Sequence, residues 1–202
     1  MNEADAQGWI RDRFGVSRET QLARFIELLG DAAKEQNLVA PSTLGQIWSR
    51  HIVDSAQLLD HAGAEAGWLD IGSGAGLPGL IIAMLRDVPV ELVEPRRLRT
   101  DFLEQAVRHL GLTNVTVRTD KIERTQGIAQ VITARAVANL GQLLEMAAHR
   151  ADSSTIWVLP KGRNAELEVE AARHSWQGSF HVEPSKTAAD SLIVIAQGVR
   201  RR

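Results

Sequence analysis

In the first third of the chain, apolar residues recur every three or four positions. Within "RETQLARFIELLGDAAKEQ", residues 18–36, Leu22, Phe25, Ile26 and Leu29 share one side of a helix, the spacing of a single buried face. A second helix is expected over 42–59, where Ile47, Trp48, Ile52, Ala56 and Leu59 form a comparable stripe. From residue 68 the period changes. Short apolar runs, "WLDI", "PVELVE", "NVTVRT", "AQVITAR" and "TIWVL", alternate with helix-length segments at about 78–86, 96–110, 139–149 and 164–174. Strands alternating with helices predict a parallel sheet with crossover helices. Pro78 suits a first helical turn, where its missing N–H would be unpaired in any case. The tail, "SFHVEP" then "DSLIVIAQGV", offers two strands with no room for a helix between them, so an antiparallel hairpin is expected at the sheet edge.

The expected architecture is therefore α/β. A mostly parallel, doubly wound sheet occupies 66–202, and a helical extension over 1–65 packs on it. At 202 residues there is room for this unit and not for two full domains. No apolar run reaches the roughly 18 residues of a membrane span. The opening "MNEADAQGWIRDRFG" is acidic and polar where a secretion signal is basic and then apolar, so a cytoplasmic protein with no membrane partner is expected. The chain has no cysteine, which excludes disulfides, thiolate metal sites and thiol nucleophiles. No metal-ligand spacing such as H-E-x-x-H occurs, and no metal is expected.

The glycine-rich turn in "WLDIGSGAGLPGLIIAMLRD", residues 68–87, is the clearest chemical signal. Gly74, Gly76 and Gly79 fit the spacing of a dinucleotide fingerprint. Asp70 followed by Gly72, Gly74 and Gly76 fits an S-adenosylmethionine loop instead. Glu94, closing the second strand, is placed to grip ribose hydroxyls in either reading. Asp70 separates the two in part: a carboxylate beside the turn repels a pyrophosphate, whereas it attracts an ammonium and tolerates a sulfonium. With Glu94, the acidic "TDKIE" after the third strand and the terminal hairpin, it favours the methyl donor. A dinucleotide-dependent oxidoreductase and a non-catalytic RNA-binding or ribosome-assembly factor stay open as alternatives.

Several segments then acquire a common meaning. "WSRHIVDSAQLL", "LDIGSGAGLPGLIIA", "VEPRRLRTDFL", "ITARAVANL" and "LPKG" together resemble the small-subunit ribosomal RNA methyltransferase G family, also called glucose-inhibited division protein B. The resemblance runs in order over roughly 45–165. It implies a class I, Rossmann-like fold that uses S-adenosyl-L-methionine, releases S-adenosyl-L-homocysteine, and methylates N7 of a guanine in 16S ribosomal RNA, with that RNA or the small ribosomal subunit as partner. The enzyme is expected to be a monomer. By the resemblance, Gly72 and Leu77 match cofactor contacts of the glycine loop, Ile122 and Glu123 match the adenine-side segment, and Arg135 matches an arginine at the active-site edge. Glu94 stands where relatives often carry aspartate. Lys161 of "LPKG" matches a lysine whose role follows only from its position.

Guanine N7 carries an in-plane lone pair and no proton, so its methylation needs positioning rather than a general base. Arg135 and Lys161 are the candidates to orient the base edge, since arginine and lysine are the familiar partners of guanine O6. A net charge of −2 supplies no global attraction to RNA, so contacts must be local. Candidates are Arg50, Arg96, Arg97, Arg99, Lys161 and Arg163. His51, alone on a helix, reads as a structural residue ahead of a catalyst.

Overall fold

The computed structural model describes all 202 residues. Seven strands form one sheet in the order β3-β2-β1-β4-β5-β7-β6. They are β1 (Trp68–Ile71), β2 (Val90–Val93), β3 (Val115–Arg118), β4 (Val131–Ala134), β5 (Ile156–Lys161), β6 (Trp176–Pro184) and β7 (Leu192–Arg201). β1 to β5 run parallel, and β7 inserts antiparallel between β5 and β6. The expected hairpin is present, with its second strand one place in from the edge. β1 and β4 are buried at every position, apolar but for Asp70 and Thr133; β3 at the far edge alternates half-buried and exposed positions.

Helices cover both faces. α3 (Gly79–Leu85) and α4 (Arg97–Leu110) lie on one side with the N-terminal helices, and α5 (Leu140–Ala147) and α6 (Ala165–Ala172) on the other. α4 buries Phe102, Leu103 and Ala106, then stops where Gly111 turns left-handed with Arg108 and His109 in the last turn. Pro78 sits at the N-cap of α3, one position before the first helical turn expected for it.

α1 (Glu3–Ala32) begins fifteen residues before the pattern suggested and ends earlier. Its Gly15, at φ 84°, breaks it into two helical pieces, and Ala6 and Ile10 of the first piece are fully buried. The second expected helix is helical throughout 41–61 but irregularly wound: 3₁₀ over Pro41–Gln46, π over Trp48–Val53, one α turn, α2 (Asp54–Ala56), and 3₁₀ again over Gln57–His61. Wide π turns leave backbone groups short of partners, and α1 supplies one. The Glu3 carboxylate accepts the N–H groups of Trp48 and Ser49, each at 2.9 Å. Leu22, Phe25, Ile52 and Leu58 share a single hydrophobic cluster with Leu80, Leu92 and Val158, so the N-terminal helices complete the core of the sheet.

Candidate active site at the carboxyl edge of the sheet

In an open parallel sheet, ligands bind beyond the carboxyl ends of the strands, near the point where strand order reverses. Here that point lies between β1 and β4. After β1 the chain turns through Gly72 and Gly74, with φ of 67° and 55°, a region that favours glycine. The turn is also crowded from above, because a Cβ on Gly72 would stand 2.6 Å from Cγ2 of Val137 in the loop that follows β4.

Asp70 does not face this cradle. It is fully buried, its Oδ2 accepts the Gly79 N–H at 3.1 Å, and its Oδ1 has no partner. Burial pushes its pKa up to about 7, against the Gly79 N–H and the charge of Arg135, which favour the carboxylate. The expectation that Asp70 meets an ammonium group directly is thereby corrected. With no exposed surface, it braces the turn against α3 and reaches a ligand only through its field. The same contact bears on the dinucleotide reading, which needs the first N–H groups of this helix for a pyrophosphate. Here the Gly79 N–H is already given to a carboxylate.

Glu94, just beyond β2, reaches back over the turn. Its Oε2 accepts the Gly74 N–H and its Oε1 the Arg96 N–H, both at 3.0 Å. Each carboxylate oxygen has two lone pairs, so each keeps one acceptor position. The Arg99 guanidinium lies 3.7 Å from Glu94 Oε2, beside the glycine turn. Ile122 is buried and Glu123 exposed, in a 3₁₀ turn after β3 at the same edge. Leu77 is buried in the core.

A second cluster stands at the end of β4. The Arg135 side chain is 20% exposed, its Nη1 lies 3.5 Å from Asp54 Oδ2, and it donates to His51 Nδ1 at 3.2 Å. As an acceptor at Nδ1, His51 is neutral with its proton on Nε2, which faces Thr43 Oγ1 at 2.8 Å. Burial first, and then the charges of Arg135 and Arg50, lower the His51 pKa to about 4. Burial also lowers the pKa of Arg135, while Asp54 and Asp70 oppose the shift.

A third cluster closes the edge at β5. Lys161 Nζ donates to the Ala138 carbonyl at 2.7 Å and lies 3.0 Å from Glu168 Oε2, which also accepts the Leu140 N–H at 2.7 Å. These contacts clamp the loop after β4, whose Ala136 sits at φ 57°, a conformation costing a residue with a Cβ roughly 1–2 kcal/mol. Between the second and third clusters is a cavity of about 360 Å³, walled by Arg135, Ala136, Pro160, Lys161, Glu168 and Ser191 among others. A larger hollow of about 560 Å³ between α5 and α6 shares only Glu168 with it and lies away from the glycine turn.

The remaining arginines divide by partner. Arg97 pairs with Asp101 at 2.9 Å and Arg163 with Asp190 at 3.3 Å, all four exposed. Arg50 and Arg96 are exposed and have no acidic partner. Sequence reasoning missed Asp54 and Glu168. Asp54 follows His51 by three, a same-face spacing that was available as a signal, whereas Glu168 reads as an ordinary first-turn glutamate.

The sequence profile described as GidB, rRNA small subunit methyltransferase G, matches residues 18–191. The chain belongs to this family. A relative from Sphingopyxis alaskensis named ribosomal RNA small subunit methyltransferase G is 45% identical over 98% of this chain and 87% of its own length. One of the same name from Zymomonas mobilis is 43% identical over 97% and 94%. Among solved structures, a SAM-dependent methyltransferase from Aquifex aeolicus superposes with a TM-score of 0.61 at 17% identity, over 82% of this chain and 97% of that one. M. jannaschii TYW2, in complex with AdoMet, gives 0.55 at 13% identity, over 75% and 76%. At these identities the structural likeness carries the fold alone: the α/β methyltransferase fold expected from the sequence.

Proposed function

We propose that this member of the GidB family transfers a methyl group from S-adenosylmethionine to N7 of a guanine in small-subunit ribosomal RNA. The observation that carries the reading is that the glycine turn and a polar cavity share one edge of the sheet and are joined by the loop after β4, whose Val137 packs over Gly72 while Arg135 and Ala136 wall the cavity. The curated relatives are named for small-subunit rRNA methylation, and the resemblance on which N7 rests spans the three clusters up to Lys161, Glu168 lying beyond it.

The turn fits the methyl donor. Left-handed Gly72 and Gly74 let its backbone approach a ligand closely, and the free acceptor positions of Glu94 suit two ribose hydroxyls, with Arg99 swinging aside. Leu77, Ile122 and Glu123 are assigned to the walls around the cofactor, Ile122 and Glu123 on the adenine side. Glu94 gives the turn a negative field that favours a cation, and Asp70 adds to it as it ionises near pH 7. When bound there, the cofactor would supply an electrophilic methyl on a sulfonium, open to the N7 lone pair, and would leave as the neutral thioether with the electrons of the broken carbon–sulfur bond.

The residues of this chain do the aligning. Proximity and orientation are worth ~7–11 kcal/mol where reactants are held in line, and no proton has to be removed from N7. Arg135, held by Asp54 and His51, has a fixed planar fork at the boundary between turn and cavity. Asp54 balances its charge, so the guanidinium orients without opposing the positive charge that grows on the guanine ring. Lys161 has two of its three donors occupied and one left for the base. Arg50 and Arg96, which have no acidic partner, are the phosphate contacts, joined by the exposed Arg97 and Arg163. The protein acts as a monomer in the cytoplasm on this reading; no helix is long and apolar enough to cross a membrane.

Thermal stabilisation separates this reading from nicotinamide chemistry. S-adenosylmethionine at 100 times its dissociation constant should add about 2.7 kcal/mol to stability and raise the melting temperature. NAD should leave it unchanged. Stabilisation by NAD and not by S-adenosylmethionine would overturn the proposal.

A further inference from the structure

Guanine and adenine differ most at the Watson–Crick edge. Guanine presents N1–H and the N2 amino group as donors, where adenine presents N1 as an acceptor. A pocket that selects guanine therefore needs an acceptor there, and an anionic acceptor does more. As N7 gains a methyl the ring becomes cationic, so a carboxylate against N1–H binds the transition state more tightly than the ground state.

We propose that Glu168 is this acceptor, and that the 360 Å³ cavity at the carboxyl edge is the pocket for a guanine turned out of the RNA stack. The inference rests on the methyltransferase reading above. Three observations carry it. The cavity contains both signs needed for one purine, side by side as O6 and N1–H are: Lys161 with a donor to spare for O6, and Glu168 paired with it at 3.0 Å. The two Glu168 oxygens are not equivalent. Oε2 is occupied by Lys161 and the Leu140 N–H, whereas Oε1 has no hydrogen bond. The other carboxylate of the cavity, Asp54, is committed, accepting from Gln57 and Thr187 at Oδ1 and facing Arg135 at Oδ2. Glu168 thus holds the loop after β4 with one oxygen and offers the other to the base. Enzymes that act on a base commonly bring it out of the stack into such a pocket, reading its Watson–Crick edge by hydrogen bonds.

The two oxygens allow the roles to be tested apart. In Glu168→Gln the amide oxygen can take the place of Oε2 and keep Leu140 and Lys161, while the NH₂ turns the free acceptor into a donor facing N1–H. The expected result is an unchanged melting temperature and S-adenosylmethionine affinity, RNA affinity within about threefold, and a single-turnover methylation rate on small-subunit rRNA reduced roughly 10- to 100-fold. A folded variant that methylates at the wild-type rate would overturn the inference while leaving the methyltransferase reading intact. A wild-type protein that transfers no methyl to the RNA would defeat both. A second measurement does not depend on how the variant folds. With the wild-type enzyme saturated in S-adenosylmethionine, 5′-GMP should inhibit RNA methylation at a concentration at least tenfold below that needed of 5′-AMP. Equal inhibition would overturn the pocket assignment.

Discussion

Arg135 Nη1 donates to His51 Nδ1 at 3.2 Å, and this one contact fixes the state of both residues. It holds the histidine neutral, with its proton on the far nitrogen, and it ties the guanidinium to the irregular helical stretch of the N-terminal extension. Two segments more than eighty residues apart in sequence thus meet at the active-site edge.

Arg135→Lys keeps the charge and loses the planar fork. Single-turnover methylation at saturating RNA and cofactor should fall about 100-fold, the scale of a small misplacement of reacting groups, while RNA affinity changes little. A melting curve taken alongside distinguishes the alternative. If Arg135 only supports the fold, Arg135→Ala melts lower and the protein that stays folded methylates at a near-normal rate.

Asp70 and His51 make opposite contributions to the pH dependence of stability. Between its ordinary value of 3.8 and about 7, the folded chain holds a proton on Asp70 that the unfolded chain releases, so this group makes stability fall as pH rises. Between about 4 and 6.5, the unfolded chain takes up a proton on His51 that the folded chain refuses, so that group makes stability rise with pH. Asp70→Asn keeps an oxygen for the Gly79 N–H and removes only the first effect. Its urea-unfolding free energy should climb with pH more steeply than that of the wild type. The gap should be greatest above pH 7, at about 1–4 kcal/mol. A difference independent of pH would contradict the buried ionisation.

Gly74→Val puts a branched side chain at φ 55°, where only glycine is at ease, on the turn assigned to the cofactor. Calorimetric affinity for S-adenosylmethionine should drop more than tenfold, with helical circular dichroism retained. Undiminished binding in a folded variant would remove the turn from the cofactor site.

Salt dependence tests the arginines. Arg50→Ala and Arg96→Ala should each lower the magnitude of the slope of log affinity against log salt by roughly 0.7–0.9, the value of one phosphate contact. Arg99→Ala should leave the slope unchanged, because Arg99 belongs to the glycine turn. A slope altered by Arg99 and untouched by Arg50 and Arg96 would reverse the assignment.

Much of the fold was legible because its central strands are buried on both faces: "WLDI" and "VITA" are short runs apolar but for Asp70 and Thr133, and helix-length segments alternate with them. The N-terminal helices were legible only in part. Ala6 and Ile10 stand four apart on one face, but two residues are too few to announce a buried helix, and the Glu3 carboxylate that accepts from Trp48 at the start of the π winding lies 45 residues away. At the site, Gly72, Gly74, Glu94 and Arg135 could be placed from the order of strands and turns. The inward turn of Asp70 could not, since it depends on how closely α3 packs at Gly79. Glu168 was hidden for a related reason: its meaning comes from Lys161 and Leu140, on segments it meets only in three dimensions.

The most direct measurement of the central claim is the identity of the modified nucleoside. Small-subunit rRNA, naked and assembled into subunits, is incubated with the protein and S-adenosylmethionine labelled in the methyl group, then digested and separated. The account predicts label in 7-methylguanosine and nowhere else, and none with Arg135→Ala. Label in another nucleoside, or no transfer to either form of the RNA, would contradict it.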